Sequence, residues 1–283
     1  MDVLNLLFAV LGAVASGSAT FELRDHESQA VRWRGHVEQT EVDGGRVRRD
    51  VVYVDLDGRE VQVEHAVYDP RTLRLLEYHL RNDPKDHEAS IRSQGETLTV
   101  RYREGSAEFT ERTMEWGSEG YHPIVYDELV RRNWQRLLEE GSFDFSVVVP
   151  QMGMSARMAF VREGEESVDG ETLVVLRLRP RSLLLRALLP RVLYYYEAAP
   201  SPRLRRYVGP IPFPKGRETV DIRYSRTRSG VVSKTGASRS AVRTAVASES
   251  TRKIEKMTLL TRMDRGSRPA RRASSRRKAI FVR

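Results

Sequence analysis

The residues able to do chemistry are few and scattered. Six histidines occur, at His26, His36, His65, His79, His87 and His122, and none stands at H-x-x-x-H or H-E-x-x-H spacing. A helical zinc site needs two imidazoles four residues apart on one face. His65 alternates with Val63 and Val67, which places it on the apolar face of a strand. The chain has no cysteine, which excludes disulfides, thiolate metal ligands and a cysteine nucleophile. No G-x-S-x-G elbow surrounds a serine, and Ser106 and Ser155 stand beside no candidate base. The carboxylate pairs Glu139-Glu140 and Glu165-Glu166 fall at a predicted helix end and in a predicted turn, where solvent satisfies them. Asp43-Gly44-Gly45 and Asp57-Gly58 carry the glycines of hairpin turns, not of a phosphate loop. These residues predict no catalysis, no metal site and no cofactor.

What remains is apolar contact, and it gathers on a few elements. Pro123 opens a helical pattern over about 124–140, and Tyr126, Leu129, Val130, Asn133, Trp134, Leu137 and Leu138 share one face of it. Asp127, Glu128, Arg131, Arg132, Arg136 and Glu139 occupy the other, and Gly141 stops the helix. Phe143, Phe145, Val147 and Val149 then alternate as a strand. Met152, Met154 and Met158 lie around the turn that follows, and methionine suits adaptable binding surfaces. Leu183, Leu184, Leu185, Leu188 and Leu189 form a second apolar helical turn, ended by Pro190.

Around these elements the chain is β. Strands are expected at 31–41, 46–55, 61–67 and 73–80, then as short pieces at Ile91, Leu98–Tyr102 and Phe109–Trp116. Four more follow the helix at 143–150, 156–162, 173–178 and 192–197, and 204–209 and 219–224 close the sheet. No helix separates the early strands, so a parallel βαβ sheet is excluded. The expected fold is mainly β: one curved antiparallel sheet, a half-barrel of about 10–12 strands, with the main helix about 124–140 across its concave face. A sheet covered on that face by a single helix can leave a ligand cavity. Its candidate apolar lining is Tyr126, Leu129, Trp134, Leu137, Met154, Met158, Leu185 and Leu188.

The two ends differ from this core. Leu6–Ala15 is apolar and Ser16–Ala19 is small, so 1–19 reads as a signal peptide, though Asp2 is acidic and no Lys or Arg precedes Arg24. That expectation places the protein in the periplasm or outside the cell, and in the cytoplasm if the segment is not a signal. Beyond it no apolar run is long enough for a transmembrane helix. The net charge of +9 belongs to the tail: Ser225–Arg283 holds 17 basic and 3 acidic residues, leaving 31 basic against 36 acidic in the rest. The expected organisation is a half-barrel domain over 20–224 and a disordered Ser/Arg-rich tail over 225–283. The tail would contact polyanions, nucleic acid or an anionic membrane, without specificity, because it lacks interleaved aromatics. An out-of-frame extension is the other reading of it.

The core also resembles a known family. Tyr126, Asp127, Val130, Arg132, Asn133, Trp134 and Leu137, then Gly141, Phe143 and the strand to Val149-Pro150, are similar to a family of exported bacterial proteins of unknown function. Leu183–Leu189, Leu193–Tyr196, Arg203–Gly209 and Val220–Tyr224 continue the likeness, which covers about residues 21–224. The fold of that family is likened to the periplasmic lipoprotein carriers of the Lol pathway. The resemblance implies an incomplete antiparallel barrel with a helix across its concave side, and in such carriers the concavity holds acyl chains. Two functions stay open: a non-enzymatic exported protein that binds a lipid or other apolar ligand, or a packed interaction domain whose tail binds polyanions.

Overall fold

The computed structural model describes residues 17–117, 120–149, 154–210 and 218–225. Its first half is a meander of β1 (Gly17–Asp25), β2 (Val31–Val42), β3 (Arg46–Val54), β4 (Glu60–Tyr68), β5 (Leu75–Asn82), β6 (His87–Gln94), β7 (Thr97–Glu104) and β8 (Thr110–Glu115). The helical segment follows the two-residue strand β9 (Gly120–Tyr121) and comprises a 3-10 turn (Pro123–Val125), α1 (Tyr126–Arg132) and α2 (Trp134–Glu140). The second half holds β10 (Ser142–Val149), β11 (Met154–Val168), β12 (Glu171–Pro180), α3 (Leu183–Leu188), β13 (Val192–Glu197), β14 (Leu204–Pro210) and β15 (Thr219–Tyr224).

Local chemistry explains the hairpins. Gly44 and Gly45 adopt φ of 76° and 67° between β2 and β3, a left-handed turn that a side chain would resist. Asp69 and Asp55 hold the next loops with carboxylate oxygens that accept backbone N–H bonds from Arg71 and Asp57.

All strands join one 15-stranded sheet in the order β8-β7-β6-β5-β4-β3-β2-β1-β15-β14-β13-β12-β11-β10-β9. Every neighbour pair is antiparallel except β9 with β10, which is parallel. Laid flat, fourteen interstrand steps would span about 67 Å. Yet five residue steps carry the chain from Glu115 on one edge to Gly120 on the other, a reach of about 17 Å. The sheet must therefore curl strongly, and it stays unclosed between β8 and β9. Trp116 ties this seam. Its backbone N–H donates to the Glu96 carbonyl at 2.6 Å, and its indole N–H donates to the Gly120 carbonyl at 2.7 Å.

Several expectations are corrected here. The sheet has more strands than the expected 10–12, and the unexpected ones are β1, which begins in the stretch read as a signal, and the two-residue β9. β14 and β15 do not close its edge; β15 pairs with β1 in the middle of the sheet, with Phe21 opposite Tyr224 and Leu23 opposite Ile222. β1 starts at Gly17, inside the stretch read as a signal, and Ala19 is buried. The helix about 124–140 is broken at Asn133, which has left helical geometry at φ −102° and ψ 17°. The Asn133 side-chain amide and backbone N–H both donate to the Leu129 carbonyl, and this competition interrupts the helical ladder. Gly141 then ends α2 with φ 77°, as a C-terminal glycine should. Residues 1–16 and the tail beyond Ser225 lie outside the described residues, as do most of the proline-rich link over 209–214 and Met152. Among the described residues no helix is long and apolar enough to cross a membrane.

One contiguous core runs along the sheet and takes in Tyr126, Leu129, Val130, Trp134 and Leu137 from α1 and α2. A smaller cluster of Leu173, Val175, Leu193, Tyr195 and Val208 sits on the other sheet face. There the Arg206 guanidinium makes a paired hydrogen bond to buried Asp221, both contacts at 2.9 Å, and stacks on Tyr195.

Candidate functional site

The lateral rows of the sheet decide what faces the core. Strand pairing aligns Tyr224, Phe21, Gly35, Tyr53, Gln62, Asn82 and His87 in one row. β4 therefore turns Gln62, Glu64, Ala66 and Tyr68 inward and leaves Val63, His65 and Val67 on the far face, half-buried. The expectation that His65 shares an apolar face is reversed. Its Nδ1 meets an Asp50 carboxylate oxygen at 2.5 Å across the hairpin. A polar strand face can turn inward because its groups satisfy one another. The Asn82 amide donates to the Gln62 carbonyl oxygen at 2.7 Å, and the Gln62 amide donates to Glu64 at 2.8 Å. The Tyr78 hydroxyl donates to the other Glu64 oxygen at 3.0 Å. Burial pushes the Glu64 carboxyl up to about 7, against the bonds from Gln62 and Tyr78 and the nearby Arg49.

The helical segment docks on this layer through polar groups. The Arg49 guanidinium donates to the Ile124 carbonyl at 3.0 Å. His122 caps the 3-10 turn with Nδ1, which accepts the Ile124 N–H at 3.3 Å, and its ring lies 4.6 Å from that of Tyr78. Burial drives the His122 imidazole down to about 3, so it stays neutral and keeps this acceptor.

Asp127 corrects a second expectation. Helical spacing puts it on the solvent face of the helix, yet it is 1% exposed. Burial lifts its carboxyl to about 6, opposed by Arg131 and Arg49. Arg131 stands 3.5 Å from one oxygen, and neither oxygen makes a hydrogen bond of ordinary geometry. The Tyr196 hydroxyl lies close enough to favour the charged form of Asp127 but is likewise outside hydrogen-bond geometry. The buried hydroxyls of Tyr126 and Tyr194 also lack partners, and burial pushes the pKa of Tyr126, Tyr194 and Tyr196 well above the usual phenol value, so all three stay neutral.

An aromatic floor supports these hydroxyls. The Tyr126 ring meets Phe145 and Phe160 edge-on at 5.5 and 5.7 Å, and Phe160 meets Tyr194 edge-on at 5.4 Å. Phe145 and Phe160 stack at 5.3 Å, and Trp134 lies 5.8 Å from Tyr196.

Among the candidate lining residues, Tyr126, Leu129, Trp134, Leu137 and Met158 are all buried in this one core, and Leu185 packs half-buried against it. The side chains of Met154 and Leu188 lie outside the described residues. Sequence reasoning missed Glu64, Gln62, Asn82, Arg49, His122 and Asp127. A usable signal existed in β4, where Gln62 and Glu64 alternate with Ala66 and Tyr68, but it competed with the more apolar valine row. Among the described residues no group of three His, Asp or Glu side chains is placed to hold a metal ion.

No protein-family model matches the chain, and a search of curated proteins finds no match.

Proposed function

We propose that this is an exported, non-enzymatic binding protein that takes an amphiphilic ligand, a lipid or similar molecule, inside its curved sheet. In this reading α1 and α2 lie across the concavity, as in the lipoprotein carriers to which the fold of the resembled family is likened. The apolar body of the ligand would lie against the Phe145–Phe160–Trp134 floor. Its polar group would meet the hydroxyls of Tyr126, Tyr194 and Tyr196 and the carboxylate of Asp127.

The unpartnered buried polar groups carry the proposal. Each buried hydroxyl left without a partner costs about 1–3 kcal/mol. A domain under selection for packing alone would do as well with phenylalanine at 126 and 194. Keeping tyrosine makes sense where another molecule supplies the missing partners.

Native mass spectrometry of the chain purified from its own host tests this. A co-purifying amphiphile that is lost from a Tyr126→Phe, Tyr194→Phe double variant of unchanged fold supports the reading. A chain that is empty in the wild type, with the double variant more stable, overturns it. That outcome would favour the packed interaction domain whose 17 basic tail residues hold polyanions. Fractionation of the host for the full-length and processed chain tests export separately.

A further inference from the structure

The alternation in β12 sorts apolar from basic residues. Leu176, Leu178 and Pro180 are buried, so Arg177 and Arg179 project from the opposite face of the sheet, and Arg181 continues their row past the strand end. β11 adds Arg157, whose carbonyl accepts the Arg181 N–H at 2.9 Å. α3 then returns Arg186 to the same place, where its guanidinium donates to the Pro180 carbonyl at 2.7 Å. Burial lowers the Arg186 pKa, and the charges of Arg179, Arg181 and Arg177 lower it further, as expected of crowded cations. Carboxylates are scarce here. Glu163 pairs with Arg177 and Arg191, and Asp144 pairs with Arg181. Arg157 and Arg179 form no ion pair among the described residues.

An apolar side chain stands beside this cluster. Leu183, the first residue of α3, is 77% exposed, more than any other large hydrophobic residue among those described. Its orientation is set by the fold. Leu185 and Leu189 pack on the core, and the Ser182 hydroxyl accepts the Leu185 N–H at the helix start. An exposed leucine at the start of α3, beside a row in which Arg157, Arg179 and Arg186 have no carboxylate partner among the described residues, matches a surface that is apolar a few ångströms below a layer of negative headgroups. Arginine holds phosphate oxygens through a planar fork, which favours phospholipid over a diffuse anion.

We propose that the α3 face, with Leu183 as the anchor and Arg157, Arg179, Arg181 and Arg186 around it, docks on a bilayer surface that carries anionic lipids. The inference stands apart from the interior ligand, since it uses only the far face and the rim.

The chain has no cysteine, so a single reporter can be placed at will in the full-length protein. Leu183→Cys carries an environment-sensitive dye in one sample, and Leu56→Cys, at a site 60% exposed in the β3–β4 turn, carries it in another. Both are mixed with phosphatidylcholine vesicles with and without phosphatidylglycerol. The expected result is a blue shift at Leu183 on the anionic vesicles only, and none at Leu56. Adding Arg179→Ser and Arg186→Ser should lower the partition about 25-fold at low salt, about five-fold for each charge. Equal responses at both positions, no response at Leu183, or an equal shift on neutral vesicles would each overturn the proposal.

Discussion

Replacing Glu64 with glutamine removes a buried charge and changes little else. The side chain keeps its size, its carbonyl oxygen can still accept from the Gln62 amide, and its new amide can donate to the Tyr78 hydroxyl, which then reverses its role. The folded-state pKa of Glu64 is raised from 4.5 to about 7. Between those values the folded chain holds a proton that the unfolded chain has released, so wild-type stability falls as pH rises through the window. The full difference across this window is about 3 kcal/mol. Glu64→Gln does not titrate. Its stability relative to wild type should climb by about 3 kcal/mol from pH 4.5 to 7 and stay level above pH 7. The comparison with wild type is essential, because His122 acts in the opposite sense. Its folded pKa is depressed to about 3, so it contributes stability above pH 6.5 that is lost as pH falls through the window below. In the difference between variant and wild type that contribution cancels. Urea denaturation at half-unit pH intervals, with unchanged m-values, measures it. A stability difference that is flat across pH 4.5–7 would refute the argument that Glu64 is buried in this polar layer.

Three further perturbations test the packing. Trp134→Ala should cost about 3–5 kcal/mol in urea denaturation, because the ring is buried beside Tyr196; a loss below about 1 kcal/mol would mean that α2 does not dock there. Gly35→Ala should cost about 1–3 kcal/mol or abolish folding, since the added methyl would sit 2.5 Å from the Val52 carbonyl oxygen and clash with Cζ at the edge of the Phe21 ring; a neutral melting temperature would contradict the register of β1 on β2. Arg206→Met should cost about 2–3 kcal/mol, because buried Asp221 loses its paired donor and keeps only Arg223, and the loss should vanish in an Asp221→Asn background.

Much of the second half was legible. β13 and β15 match the expected spans of 192–197 and 219–224, and α3 falls within the expected turn before Pro190. These segments are short and punctuated by proline and glycine, so local chemistry suffices to bound them. The inward face of β4 was not legible, because Gln62 and Glu64 look solvent-facing until Asn82, Tyr78 and Arg49 are brought to them by strand pairing. Asp127 was misplaced for a related reason. Helical periodicity ranks residues by polarity, and it has no means of foreseeing Arg49 arriving from a strand 78 positions earlier to stand near the carboxylate. The break at Asn133 depends on a side-chain hydrogen bond to a carbonyl in its own helix, which apolar spacing does not report. Apolarity picked out residues that are buried, Tyr126, Leu129, Trp134, Leu137 and Met158 among them, and was blind to the polar groups buried beside them.

The position of β1 bears on how the chain folds. Each strand from β2 to β8 finds its partner within a hairpin, so that half can zip together by local contacts alone. β1 has one such neighbour; its other neighbour is β15, with Phe21 facing Tyr224 across 203 residues of chain. Until the last strand of the domain has been made, the middle of the finished sheet is an unpaired edge of the first half. Long-range pairing of this kind is slow, and the waiting edge, with Phe21 and Leu23 beside it, is where intermediates would stick to one another. Refolding that slows and turns cloudy as protein concentration rises, with β1–β15 amides the last to gain protection from hydrogen exchange, is the kinetic signature to expect from a sheet whose central seam joins its first and last strands.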